Sequence, residues 1–248
     1  MLHVVTPRLY VVHGSHPCAA VERALELKGI SYDVTEWPPP MQVPLQRLLF
    51  GASTVPGLQL DGERISGSRA IMHRLDALAP EPALYPSDPE LRTRVEEADE
   101  WGDEVFQGVA RRLIWIALAR DPAAAPSYSV GSRLPLPDPL IRLSAPLISR
   151  VEISLHDATD DAVRADLLAL PGHLDLVDGG IGAGSLGGPQ PNAADLQIGS
   201  TVRLLLTLAD LRPLIEGRPA AELARRHFPD WPGEVPAGTL PADWIPAR

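Results

Sequence analysis

The sequence predicts an α/β domain over 8–79 followed by an all-helical domain over 88–230. An apolar run, Leu9-Tyr10-Val11-Val12, passes through the polar turn Ser15-His16-Pro17-Cys18 into an amphipathic stretch from Ala19 to Lys28. Further on, Asp61-Gly62 stands between Leu58-Gln59-Leu60 and Arg64-Ile65, and Asp-Gly between two such runs signals a tight hairpin. Past Ala79-Pro80-Glu81-Pro82, which reads as a linker, strand alternation stops and long helical periods begin.

Each element of the first domain has a local cause. Ser15 is a favourable N-cap, Pro17 suits the first helical turn, Ala20, Val21, Ala24 and Leu25 make an apolar stripe, and Gly29 ends the helix. Tyr32 and Val34 alternate with polar neighbours as a second strand, and Pro38-Pro39-Pro40 then opens a proline-rich crossover to the hairpin. Arg69 to Leu78 follows as a helix that buries Ile71, Met72, Leu75 and Leu78.

In the second domain, Asp88 caps a helix with Pro89 in its first turn. Leu91, Val95, Ala98, Val105, Val109, Leu113 and Ile116 line one face as far as Ala119, with a kink expected near Gly102 and Gly108. The density of proline and glycine predicts irregular structure or short helices over 121–189. Asn192-Ala-Ala-Asp195 reads as a capping box ahead of a helix, Leu196 to Leu208, that is apolar nearly all round and therefore buried. An amphipathic helix follows Pro219, and 231–248 is a tail.

Composition narrows the function. The 248 residues carry a formal charge of −10, and no Lys/Arg cluster offers the basic face that nucleic acid or an anionic membrane requires. Residues 1–12 lack the apolar core of a leader, and no stretch approaches the ~20 apolar residues of a membrane span, so a cytoplasmic protein is expected. A single cysteine excludes an internal disulfide and a cysteine metal cage. The seven histidines stand at no metal-ligand spacing, and no metal is expected.

Chemistry concentrates in turns of the first domain. The Ser15 turn is either a plain helix cap or a site where a hydroxyl and free N–H groups stabilise a thiolate. Val55-Pro56, before the hairpin, exposes the Val55 backbone to an extended peptide if that bond is cis. Ser68, at the start of a second helix in Ile65-Ser66-Gly67-Ser68-Arg69-Ala70-Ile71, suits a carboxylate. Gly182-Ala-Gly184-Ser-Leu-Gly187 spells a dinucleotide fingerprint, but no strand leads into a helix there and it reads as a loop. Asp99, Glu100 and Asp103 read as a solvated face of the long helix.

These turns, in this order, resemble the thioredoxin-like N-terminal domain of the cytosolic glutathione transferase family over residues 8–78. Ala24-Leu25, Lys28-Gly29-Ile30-Ser31-Tyr32 and the Asn192–Asp195 box are similar to that family as well. The resemblance implies a catalytic Ser15, glutathione binding by Val55, Pro56, Ser68 and Arg69, and glutathione as co-substrate without a metal. It also implies a homodimer acting on a small electrophile in detoxification. Gly67 departs from the pattern, since the family usually places an acid or amide there, so one glutathione contact is either lost or supplied otherwise, for instance by Arg69 or a partner subunit. Two other functions stay open: a non-catalytic binding or scaffold protein of the same fold, and a thiol–disulfide oxidoreductase using Cys18. On the family's pattern Cys18 takes the place of the second, usually buried cysteine of a dithiol motif.

Overall fold

A computed structural model describes residues 6–134 and 136–246; the expectation of no leader over 1–5 and the last two residues of the tail fall outside them. The first domain is a four-stranded sheet flanked by helices. It comprises β1 (Arg8–Val11), α1 (His16–Leu27), β2 (Asp33–Glu36), α2 (Gln42–Phe50), β3 (Gly57–Leu60), β4 (Glu63–Ser66) and α3 (Ser68–Leu78). The strand order is β2-β1-β3-β4, with β1 parallel to β2 and antiparallel to β3, and β4 antiparallel to β3. Asp61 and Gly62 both take positive φ, 50° and 84°, the pair of left-handed residues that a two-residue hairpin needs. The helix α2 lies where only a proline crossover is expected. It begins after Pro40 and ends at Gly51, whose φ of 71° forms a left-handed cap.

The second domain follows the linker. It contains α4 (Pro89–Trp101), a π-helical turn (Gly102–Phe106), α5 (Gln107–Arg120) and a 3-10 segment (Pro122–Ser129). Then come α6 (Asp138–Leu155), α7 (Asp160–Gly182), α8 (Ala193–Leu205), the single turn α9 (Arg212–Ile215) and α10 (Pro219–His227). The capping box at Asn192 and Asp195 is formed in both directions, and α8 is buried along almost its whole length.

Two expectations are corrected here. The region 121–189 holds helices of 18 and 23 residues, α6 and α7, despite Pro146 and Pro171 inside them. Sequence punctuation marks a proline as a breaker, but burial of one face, Val163, Leu167, Leu170 and Leu174 in α7, outweighs a lost backbone hydrogen bond. In the long helix, the π turn inserts an extra residue and rotates the downstream face, so Phe106 is buried and Val105 is 42% exposed. The turn starts at Gly102, which packs closely on α8: a Cβ there would lie 3.1 Å from Gln197 Cγ and 3.2 Å from Ile198 Cγ1, tight enough that those side chains would have to shift.

The linker is anchored to the first domain through Lys28. Its buried ammonium donates to Asp76 Oδ1 at 2.6 Å, to the Ala79 carbonyl at 2.6 Å and to the Pro82 carbonyl at 2.8 Å, fixing the linker against α1 and α3. The glycine-rich segment after α7 is an ordered turn: Gly184 and Gly187 take φ of 75° and 74°, and the Ser185 carbonyl accepts from Asn192.

Candidate functional site

A cavity of about 480 Å³ opens where the Ser15 turn faces the helical domain. The α/β side contributes Ser15, His16, Trp37, Pro38–Pro40, Gln42 and Thr54-Val55. The helical side contributes Arg111, Ile114 and Trp115 from α5, Tyr128 from the 3-10 segment, Ile148 and Glu152 from α6, and His156 just after it.

Ser15 stands at the N-cap position with extended backbone (φ −74°, ψ 119°), but its side chain makes no capping hydrogen bond. The hydroxyl is therefore free of the role that a plain cap would give it, and it is half-buried on the cavity wall. Ser15 also lines a smaller crevice, of about 100 Å³, on the other side of the turn beside Cys18, Glu22 and Trp231. Val55 precedes a cis peptide bond to Pro56 and lines the same cavity as Ser15. Among the described residues no backbone hydrogen bond engages the Val55 N–H or carbonyl, while the Pro56 carbonyl accepts from Gly67 at 3.0 Å. The turn is thus pinned on one side and open on the other.

Pro56, Ser68 and Arg69 lie outside the cavity lining. Gly67 caps α3 with φ of 91°, and Ser68 is the first helical residue, 1% exposed. Its hydroxyl donates to Asp103 Oδ1 at 3.3 Å and accepts from Gln107 Nε2 at 3.2 Å. Arg69 pairs with Asp99 at 3.4 Å and with Glu100 at 3.2 Å. The long-helix acids are therefore not a solvated face. Asp99 is fully buried and accepts from the Tyr85 hydroxyl at 2.9 Å, and burial raises its carboxyl to about 6 against hydrogen bonding from Tyr85 and the charge of Arg69. Asp103 Oδ1 also accepts from Gln107 at 3.1 Å and Gln197 at 2.8 Å. Only Glu100 is largely solvated.

Cys18 is 2% exposed. Burial pushes its thiol up to about 12, against the pull of hydrogen bonds with the Ser15 side chain and the Val12 backbone. A thiol so placed stays protonated at neutral pH and is a poor nucleophile.

The polar end of the cavity escapes a reading of the sequence, because it is assembled from segments far apart in the chain. Gln42 Nε2 donates to Glu152 Oε1 at 2.5 Å, joining α2 to α6. Glu152 is 2% exposed, and its Oε2 lies 3.4 Å from His156 Nε2. Arg111 donates to Gln107 Oε1 and reaches the cavity from α5. His16 is buried, and desolvation with the nearby charge of Arg111 holds its imidazole well below the usual histidine range. His13, beside it in sequence, instead donates Nε2 to the Val130 carbonyl at 2.8 Å. The one local signal was the i, i+4 spacing of Glu152 and His156, which places both on one helix face.

No group of three His, Cys, Asp or Glu among the described residues is arranged to hold a metal ion, and no described helix is long and apolar enough to cross a membrane.

Residues 9–83 match the glutathione S-transferase N-terminal domain family. A probable maleylacetoacetate isomerase 1 of Drosophila melanogaster is 33% identical over an alignment of 111 residues that covers 40% of this chain and 43% of that protein, so the likeness spans less than half of that relative. The fold is similar to a tau class glutathione S-transferase of mango, Mangifera indica, with a TM-score of 0.60 at 15% identity, covering 98% of this chain and 93% of the other. It is also similar to a theta class glutathione S-transferase of Xanthomonas axonopodis pv. citri, solved with glutathione bound, with a TM-score of 0.50 at 19% identity over 81% and 83% of the two chains. Residues 9–83 thus match the N-terminal domain of the glutathione S-transferases, and the α/β and helical domains together share the fold of these solved enzymes.

Proposed function

We propose that the protein is a glutathione transferase, which activates the thiol of glutathione for attack on a small electrophile. The observation that carries this reading is the shared wall: the Ser15 hydroxyl, which makes no capping bond, and the open Val55 backbone face one cavity, whose remaining surface is largely apolar. The Ser15 hydroxyl donates to the thiol sulfur, and Val55 pairs with the cysteinyl backbone of glutathione in the manner of an added strand. A free thiol with a pKa near ~8.5 is only a few per cent ionised at neutral pH, and lowering it by about two units raises the thiolate fraction more than tenfold. The thiolate then forms a carbon–sulfur bond, the electrophile's leaving group departs with its bonding pair, and the thiol proton passes to solvent. Ser68 and Arg69 hold the γ-glutamyl carboxylate in this reading. The Ser68 hydroxyl already donates to Asp103, so the backbone N–H groups at the start of α3 supply that contact.

Calorimetric titration with reduced glutathione, followed by conjugation of chlorodinitrobenzene, tests the reading. Ser15→Ala is expected to keep glutathione binding and lose at least about tenfold in kcat/KM. Equal turnover in both proteins removes Ser15 from the mechanism, and no binding heat in the folded protein removes glutathione. Homodimeric assembly, a cytoplasmic location and a role in detoxification belong to the same proposal. Sedimentation at micromolar concentration tests the first of these.

A further inference from the structure

Two adjacent arginines on α5 have different fates. Arg112 holds Asp166 in a two-pronged pair, Nε to Oδ2 at 2.6 Å and Nη2 to Oδ1 at 2.8 Å. Arg111, one residue earlier, lines the cavity, and among the described residues no carboxylate lies within ion-pair distance of its guanidinium. Among the described residues its hydrogen bond goes to the neutral amide of Gln107, although a guanidinium offers five donors. The carboxylates nearest in this network are already engaged. Glu152 is bonded by Gln42 and faces His156, and Asp103 accepts from Ser68, Gln107 and Gln197.

Charge left unpaired in apolar surroundings is costly, and a guanidinium does not relieve the cost by losing its proton. Burial does press the Arg111 pKa downward, while Asp103 and Glu152 press it up. A second polar group waits at the same place: His16 Nε2 is sealed from solvent with no hydrogen-bond partner, on a side chain 3% exposed that lines the cavity. Around them the wall is Ile114, Trp115 and Ile148.

We infer that the Arg111 end of the cavity receives a carboxylate carried by the electrophile, so that the substrates are apolar or aromatic acids. Arg111 is suited to bind a carboxylate through two parallel hydrogen bonds, and the apolar walls take the rest of the molecule. This rests on the transferase reading for the word electrophile. The subsite itself does not depend on it. Arg111 comes from α5 of the helical domain, which also supplies the apolar Ile114 and Trp115, and this is why the acid is assigned to the second substrate.

The test compares chloronitrobenzoate with its uncharged methyl ester, by quenching of tryptophan fluorescence in the whole protein without any thiol present. The acid is expected to bind at least about tenfold more tightly than the ester. Arg111→Met is expected to bring the two affinities within about twofold, with Arg111→Lys between, since a point charge replaces a fork. Equal affinity for acid and ester in the parent protein, or a ratio untouched in Arg111→Met, overturns the inference. So does a loss of glutathione affinity in Arg111→Met with the acid-to-ester ratio intact, because the arginine then serves glutathione instead. An acid preference that depends on Arg111 in a protein that conjugates neither probe upholds the subsite and overturns the transferase reading.

Discussion

Gln42 on α2 and Glu152 on α6 meet at 2.5 Å although 110 residues separate them in the chain. Both are buried, so this contact fixes the α6 wall of the cavity to the domain that carries Ser15. Replacing Gln42 by Ala leaves a buried carboxylate short of a donor. The expected loss of stability is about 2 kcal/mol, with faster amide hydrogen exchange along α6 than along α8. Uniform exchange across both helices would show that the contact does not anchor α6.

Asp99 makes stability depend on pH. Its carboxyl is raised from 3.8 to about 6, so the folded state binds the proton more tightly than the unfolded state does. Between those values stability falls as pH rises, by up to about 1.4 kcal/mol per pH unit from this group, and the contribution levels off above both. Asp99→Asn is expected to flatten that slope relative to the parent protein in urea titrations run across the window. Parallel pH profiles in the two proteins would contradict the assignment.

Cys18 is expected to resist alkylation. With its thiol pushed up to about 12 and its side chain buried, iodoacetamide at neutral pH should label it only after denaturation. Cys18→Ser should accordingly leave conjugation activity close to that of the parent. Rapid labelling of the native protein, or a mixed disulfide with glutathione formed under mild oxidation, would revive the oxidoreductase reading.

Gly102 is held by the approach of α8. Substituting Val is expected to cost about 2 kcal/mol, because a Cβ 3.1 Å from Gln197 Cγ and the two methyl groups beyond it make the packed side chains of α8 shift. Thermal denaturation reads the loss. A melting temperature unchanged from the parent would mean that the π turn absorbs the side chain.

How much of this was legible in the sequence follows from the range of each interaction. The Asp61-Gly62 hairpin, the Asn192–Asp195 capping box, the cap at Asp88 and the turns at Ser15 and Val55 are set by neighbours within a few residues, and they appear where local chemistry puts them. Resemblance over 8–78 extends them to a family, which the match over 9–83 bears out.

The tertiary structure alone decided the rest. Whether Val105 or Phe106 faces the core depends on a π turn that starts at Gly102, where the helix packs closely on α8. Whether prolines break α6 and α7 depends on what those helices bury. The polar end of the cavity joins His16, Gln42, Arg111, Glu152 and His156 from α1, α2, α5 and α6 and the residue just after α6. Sequence determines a cap or a hairpin because its partners are neighbours in the chain. It does not by itself display which distant side chains share a cavity, since burial and charge pairing there are properties of the packed chain.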